Sequence, residues 1–332
     1  DGPERLPQFQ RQELGAAVFA SVHHAELLAL KLGEPFGSIL LAVAVTVIEA
    51  ALIVAILFGG GSDNAAVARD TIFSAVMIVL NGVIGLCLVL GGNRHFEQRF
   101  QLQGAASALA VLAALAALAL ILPNHTVTAP GPFFSAGQLA VVGLVSLGLW
   151  AMFVFVQTVR HRDYFLDAPD DPPDAPNDRP DNGVAAAALG LLTVSLGAVV
   201  LLAKTLSGPL ESAVAAAGLP PTFVGVAVAA VVLLPEGLAA VRSALANRLQ
   251  NAINLSLGSA TASIGLTIPT VAAVSLWTGR PLLLGVTASD TVLLTLTLFV
   301  AGLTLGTGRT TVLQGAVHLA VFAAFLLLAA VP

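Results

Sequence analysis

Residues 37–58 read GSILLAVAVTVIEAALIVAILF, an unbroken apolar run in which Glu49 is the only charged residue. An α-helix rises 1.5 Å per residue, so about 20 apolar residues cross the hydrocarbon core of a bilayer. A strand of a membrane barrel would instead alternate apolar and polar side chains over about ten residues. The run therefore predicts a membrane-spanning helix with one carboxylate near its middle.

The composition of the whole chain excludes a water-soluble globular protein. Of the 332 residues, 57% are hydrophobic and 10% are charged, and the mean hydropathy is +0.92. A soluble domain carries about 25% charged residues. The net charge of −5 provides no basic surface for nucleic acid. The single cysteine, Cys87, allows neither a disulfide framework nor a cysteine-based metal site.

Eight further apolar runs follow the first one, and together they predict an all-α polytopic membrane protein. The nine predicted spans cover residues 37–58, 71–91, 104–122, 134–157, 184–204, 222–241, 252–277, 281–303 and 311–331. Most connections between them are short. The exception, residues 158–183, is rich in Pro and Asp, a composition that disfavours a packed core and regular structure.

Lysine and arginine are distributed unequally between the two sides of the predicted membrane domain. One side carries eleven of them: Arg5, Arg11, Lys31, Arg94, Arg99, Arg160, Arg162, Arg179, Arg242, Arg248 and Arg309. The other carries three: Arg69, Lys204 and Arg280. Because short cytoplasmic loops are enriched in Lys and Arg, this bias predicts a cytoplasmic N-terminal segment and acidic linker, with the C-terminus outside.

The first and sixth spans echo each other, since Glu49 lies in one and Glu236 in the other, and each is followed by a span studded with polar residues. The two are five spans apart, so they cross the membrane in opposite senses, as in an inverted repeat. Five spans per repeat require ten, so one span of the first repeat is missing or poorly apolar. We interpret residues 13–33 as the cytoplasmic end of a truncated helix whose apolar body precedes Asp1. The predicted organisation is an N-terminal cytoplasmic or interfacial segment (1–36), a first repeat (37–157), a linker (158–183) and a second repeat (184–332).

A carboxylate in mid-membrane costs about 2.5–3.5 kcal/mol on insertion scales. No Lys or Arg lies mid-span to compensate Glu49 or Glu236, so their partners must be mobile cations or protons. Burial favours the neutral form of a carboxyl group, and therefore protons compete with metal ions. Two carboxylates hold either one divalent cation or two protons with no change of net charge, which is the chemistry of an exchanger. The sequence predicts no cofactor, only transported ions.

Ca²⁺ prefers six to eight oxygen ligands, more than two glutamates supply. The polar spans next to the glutamates offer candidate secondary ligands, which are Asn81, Asn254, Ser259 and Ser263. Pro235, Gly82 and Gly258 are candidate hinge positions. Pro235 lacks an N–H donor and frees a carbonyl one turn earlier, which favours a discontinuous helix beside an ion path.

Two other function classes fit the sequence less well. An intramembrane metal-dependent enzyme acting on a lipid or prenyl substrate would need an Asp-rich helical face. Asp170, Asp171 and Asp174 form such a string, but the prolines between them prevent the helix. A cation channel would build its pore by oligomerisation and would not move protons uphill. Asp290 is interpreted as a pathway or helix-break residue, and His318 as a packing residue or a proton relay.

Three stretches resemble the bacterial ChaA-type calcium/proton antiporters of the calcium/cation antiporter superfamily. They are HHAELLALKLGEPFGSILLAVAVTVIEAALI at 23–53, LLPEGLAAVRSALANRLQNAINLSLGSATASIGLTIPTVAAVSL at 233–276 and GRTTVLQGAVHLAVFAAFLLL at 308–328. The resemblance implies a first helix followed by two inverted five-span repeats in a bacterial inner membrane. On that scheme the present chain lacks the first helix and most of the second.

The family's two essential acids fall on Glu49 and Glu236, and its Gly-Ser step falls on Gly258 and Ser259. The resemblance thus implies export of Ca²⁺ against protons, and such proteins are also associated with Na⁺ and K⁺ exchange. The sequence departs from the superfamily's Gly-Asn-x-x-Glu pattern at both acids, and it has Ala262 where vacuole-type relatives have Gln. Ion preference and oligomeric state therefore stay open at this point.

Overall fold

A computed structural model describes residues 5–33, 35–58, 65–166 and 180–331. Its helices are α1 (Arg5–Leu32), α2 (Phe36–Phe58), α3 (Val67–Met77), α4 (Ile84–His95), α5 (Leu102–Ala116), α6 (Ala136–Phe155), α7 (Asn182–Ala216), α8 (Phe223–Leu245), α9 (Leu249–Thr278), α10 (Ala288–Leu305) and α11 (Val312–Ala330). π-Helical segments extend α3, α5 and α6 at Ile78–Val83, Ala117–Ile121 and Val156–Arg160. The only strands among the described residues are β1 (Gln98–Arg99) and β2 (Arg309–Thr310).

Nine helices of the described chain are long and apolar enough to cross a membrane, which confirms the predicted all-α polytopic class. They cover Phe36–Phe58, Val67–His95, Leu102–His125, Ala136–Arg160, Asn182–Val199, Phe223–Leu245, Leu249–Thr278, Ala288–Leu305 and Val312–Ala330. Each corresponds to one run predicted from hydropathy. Half of the acidic linker, including the Asp string at 170–174, lies outside the described residues.

The predicted start of the eighth span at residue 281 is wrong, because α10 begins at Ala288. Thr287 caps the helix, and its hydroxyl accepts from the Asp290 backbone N–H at 3.1 Å. The preceding segment is extended, and Leu283 forms an antiparallel bridge with Phe133. Apolar residues that are buried in a loop have the same high hydropathy as residues of a membrane span, so hydropathy placed the start of this span too early.

A tenth long helix occupies the region of the predicted missing span. Residues 13–33 fall within α1, which covers 28 residues from Arg5 to Leu32. It packs against α7 and α2. With it, the described helices form two sets of five, if each π-helical segment is counted with the span it extends.

Contacts between loops establish which connections share a side of the membrane domain. β1 pairs with β2, so the loops after the second and eighth spans lie together. On the opposite side, the Leu283 N–H donates to the Ala65 carbonyl at 3.2 Å. These contacts agree with the alternation used to sort the basic residues. We call the β1–β2 end the arginine-rich side.

Helices of the first half of the chain pack against helices of the second half. Helix α9 of the second half lies against α2 of the first, and α3 lies against α8. The last span of each half also begins in the same way, with a capping box formed by Ser135 and Gln138 in one and by Thr311 and Gln314 in the other. This crossed arrangement brings the two acidic spans to the centre of the molecule.

Candidate cation and proton site

Glu49 lies on the buried face of α2. Its residue is 1% exposed, and the apolar Val45, Ile48 and Ile53 around it on the helix are equally buried. Helix α2 is made mostly of Ala, Val, Leu and Ile and has few polar residues. The hydroxyl of one of them, Thr46, donates a hydrogen bond to the Ala42 carbonyl at 2.8 Å. The carboxylate is therefore held well inside the protein.

Glu236 occupies the corresponding position on α8 and is 4% exposed. The discontinuous helix predicted at Pro235 is wrong, since α8 continues through it from Phe223 to Leu245. Proline removes one backbone hydrogen bond, but neighbouring helices hold a membrane helix together across such a gap. The missing bond still distinguishes the surroundings of Glu236 from those of Glu49.

Helix α9 brings the two acids to one place through two serines one turn apart. The Ser263 hydroxyl donates to Glu49 Oε2 at 2.5 Å, and the Ser259 hydroxyl donates to Glu236 Oε2. Residues i and i+4 share a helix face, so the two carboxyl groups flank the same surface of α9. They are close enough to interact electrostatically.

Each carboxyl group keeps one oxygen free. Oε1 of Glu49 and Oε1 of Glu236 are buried and have no hydrogen-bond partner among the described residues. Within the same residues, no Lys, Arg or His lies within ion-pair distance of either group. Buried charged oxygens without partners are costly, so this pair is arranged to receive protons or a cation.

The structure pairs the Asn81 amide with residues other than the glutamates, contrary to its predicted role as a ligand. Its amide nitrogen donates to Thr297 Oγ1 at 2.9 Å, and its oxygen lies 3.2 Å from His318 Nδ1. The other ring nitrogen of His318 lies 3.1 Å from Thr304 Oγ1. Asn81 is in the π-helical segment Ile78–Val83, whose extra residue rotates the helix face. Sequence reasoning missed this cluster, although its polar residues interrupt apolar runs.

Asn254 is likewise engaged elsewhere, near the arginine-rich side. Its amide donates to the Phe165 carbonyl at 2.5 Å, and its oxygen accepts from Gln250 Nε2 at 2.8 Å. The Gln250 oxygen accepts from the Gln101 N–H at 2.6 Å. These three hydrogen bonds join α9 to the ends of two other spans. Of the four candidate secondary ligands, only the two serines contact a glutamate.

The candidate hinge glycines have different surroundings. A Cβ on Gly82 would lie 3.2 Å from the Phe322 ring, so this glycine allows α11 to approach closely. A Cβ on Gly258 would meet nothing within 4 Å. Gly82 is therefore a packing position, whereas open space lies beside Gly258.

A wide cavity opens on the side opposite the arginine-rich side. Its volume is about 640 Å³, and Arg69, Asn124 and the 285–287 loop contribute to its lining. Arg69 forms an ion pair with Asp70 at 2.6 Å. Asp290, in the first turn of α10, is close enough to interact electrostatically with Asp70. Asp290 thus lies at the start of α10, and its role as a pathway or helix-break residue stays a prediction.

We expect Ser259→Ala and Ser263→Ala each to weaken apparent cation affinity about tenfold, because a hydrogen bond to a charged group contributes about 1.5–3 kcal/mol. Initial transport rates at varied cation concentration measure the effect. Ser107→Ala is the control, because its exposed hydroxyl bonds only to the Gln103 carbonyl of its own helix. Unchanged affinity in both α9 variants would show that the serines do not orient the carboxylates.

Comparison with known proteins identifies relatives along nearly the whole chain. The family model described as sodium/calcium exchanger protein matches residues 14–159 and 187–331. A protein of Sinorhizobium fredii named putative ionic transporter y4hA is 61% identical over 96% of this chain and 87% of its own length. The sodium-potassium/proton antiporter ChaA of Escherichia coli is 36% identical over 94% of this chain and 85% of its own length. These relatives are transporters, not enzymes.

Solved structures share the fold. YfkE matches with a TM-score of 0.70 at 17% identity, covering 96% of this chain and 90% of its own. The H⁺/Ca²⁺ exchanger CAX matches with a TM-score of 0.72 at 14% identity, covering 98% and 82%. At these identities the likeness concerns the fold alone.

Proposed function

This chain belongs to the sodium/calcium exchanger protein family, and we propose that it is a secondary-active antiporter that exports Ca²⁺ in exchange for protons. Na⁺ and K⁺ are the other candidate ions, because the Escherichia coli relative is named a sodium-potassium/proton antiporter. The family makes the chain a multi-pass membrane exchanger. The identity of the transported ion and of the residues that bind it is what we propose.

One observation carries it. Two buried carboxylates from opposite halves of the chain meet on α9, and each has one oxygen bonded to a serine and the other free. Such a site is neutralised equally by one Ca²⁺ or by two protons. Binding one therefore releases the other, as proton and metal binding to carboxylates are linked.

Alternating access requires two arrangements of comparable energy, and the helix packing suggests them. Helices α1 and α7 pack on each other and on α2, but make few contacts with α8. α2 and α8 are counterparts in the two repeats. The inverted symmetry therefore suggests a second arrangement, in which the α1–α7 pair packs against α8 instead of α2. A shift between them would expose Glu49 and Glu236 to opposite sides in turn.

We further propose that the protein lies in the bacterial inner membrane with its arginine-rich side and acidic linker in the cytoplasm and its C-terminus outside. The support is the distribution of Lys and Arg, which is nine to five once α1 is counted as a span, because Arg5 and Arg11 then lie on the opposite side from Lys31. A cation channel is less favoured than an exchanger, because the acids lie in one chain and are closed off from solvent.

The test uses everted membrane vesicles that contain the unmutated protein and a pH-gradient dye. After respiration has acidified the lumen, Ca²⁺, Na⁺ and K⁺ are added in turn. We expect one or more cations to dequench the dye, because cation entry drives protons out. Absence of a response to all three would refute the antiporter, and a cation flux that cannot move protons uphill would indicate a channel.

A further inference from the structure

A narrow slot runs between α2, α6 and α9, on the arginine-rich half of the membrane domain. Helix α9 packs on both of the other helices. Each of the three helices contributes residues to the lining of the slot. They lie between Ser38 and Val43 on α2, between Gly258 and Ala262 on α9, and between Trp150 and Gln157 on the fourth span. The slot therefore follows the helix axes, from near the ends of two spans toward mid-membrane.

Gln157 lines this slot and carries an unsatisfied polar atom. The residue is 1% exposed, and its Oε1 has no hydrogen-bond partner within the described parts of the chain. It lies in the π-helical segment Val156–Arg160, and π-helical insertions are frequent at functional positions. A buried amide oxygen without a partner is costly unless water supplies the bond.

The size and lining of the slot favour water over a metal ion. The space open to the centre of a water-sized sphere is about 10 Å³, close to the room that one water needs. Most of the lining is apolar, with Trp150, Phe153 and Val154 on one wall. Ser38 and Gln157 together cannot replace the six to eight oxygens that Ca²⁺ prefers.

One buried face of α2, with hydroxyl groups at Ser38 and Thr46, leads from the slot toward Glu49. Ser38 and Ala42 line the slot, and Thr46 and Glu49 continue the same face at spacings of four and three residues. All four are buried. On α8 the residues preceding Glu236 are apolar, with Val232 and Leu233 buried. The polar approach is therefore specific to one of the two acids.

From these observations we propose that the slot holds an ordered water bound to Gln157, and that this water relays protons between Glu49 and the arginine-rich side. This inference rests on the proposed function. The Thr46 hydroxyl accepts the proton that leaves the Glu49 carboxyl group and turns its own proton from the Ala42 carbonyl to the water. The slot water passes one of its protons to bulk water at the arginine-rich side, so every group in the route is regenerated. The cation does not use this route.

The test compares two kinds of transport in proteoliposomes, with radiolabelled Ca²⁺, or Na⁺ if the unmutated protein responds to that ion. Proton-coupled uptake needs Glu49 to exchange its proton, whereas exchange of labelled for unlabelled cation needs none. Gln157→Leu removes the water-binding oxygen, and Ala42→Val adds two carbons to the slot wall. We expect each to slow proton-coupled uptake about tenfold, the loss of one hydrogen-bonded step, with cation self-exchange unchanged.

The matched control is Ala151→Val, which adds the same two carbons at an exposed position of α6. Equal loss of both kinds of transport, or loss of neither, would overturn the proton route. Absence of proton-coupled uptake in the unmutated protein would instead refute the proposed antiporter. An experimental structure should show a water within about 3.2 Å of the Gln157 oxygen, and a dry slot would also overturn the inference.

Discussion

Glu49→Gln and Glu236→Gln are each expected to abolish cation/proton exchange. Glutamine preserves the size of the side chain and its bond to serine, but it has no charge and cannot carry a proton. Removing one partner of a buried ionic site costs about 3–5 kcal/mol, which corresponds to about a 150- to 4000-fold loss of affinity. Dye dequenching in everted vesicles measures the loss.

Glu211→Gln is the matched control, because Glu211 is an exposed residue on α7. It should retain normal exchange. Transport that persists in either buried variant at more than about a tenth of the normal rate would contradict a shared two-glutamate site.

Gly225→Val should cause the largest loss of stability. Gly225 lies where α8 crosses α3, and a Cβ there would lie 2.6 Å from the Asp70 carbonyl carbon and 2.7 Å from the Thr71 nitrogen. Backbone atoms of a packed helix cannot move aside, so the two helices must separate. Overpacking of this kind costs about 3 kcal/mol, and we expect the apparent melting temperature in detergent to fall by about 10 °C.

Gly302→Val provides the comparison for the stability measurement. Gly302 is exposed on α10, and a Cβ there meets nothing within 4 Å. The valine at 302 should leave the melting temperature nearly unchanged. Equal melting temperatures for both variants would show that the α3–α8 crossing is not as close as described.

The number and type of spans followed from the sequence because about 20 consecutive apolar residues have one stable form in a bilayer. The boundaries were less predictable. Leu283 and its neighbours are apolar but lie in a buried loop, and hydropathy does not distinguish a buried loop from a span. Helix α1 was underestimated because its N-terminal part is polar.

The central pair of the site was also predictable, because a carboxylate in an apolar run has an energetic cost that only function repays. Ser259 and Ser263 share a helix face with four-residue spacing, and both contact a glutamate. The sequence did not predict that Asn81 and Asn254 belong to hydrogen-bond networks separate from the two glutamates. Their orientation depends on a π-helical insertion and on loop contacts made far along the chain, which a local reading of the sequence does not contain.

The most direct test of the account is proton release from purified protein in a weakly buffered detergent solution near neutral pH. The transported cation is added, and bound cation and released protons are counted together. We expect release of up to about two protons for each divalent ion bound, and none from the variant carrying both Glu49→Gln and Glu236→Gln. Stoichiometric cation binding by the unmutated protein without proton release would contradict a site that the two ions share.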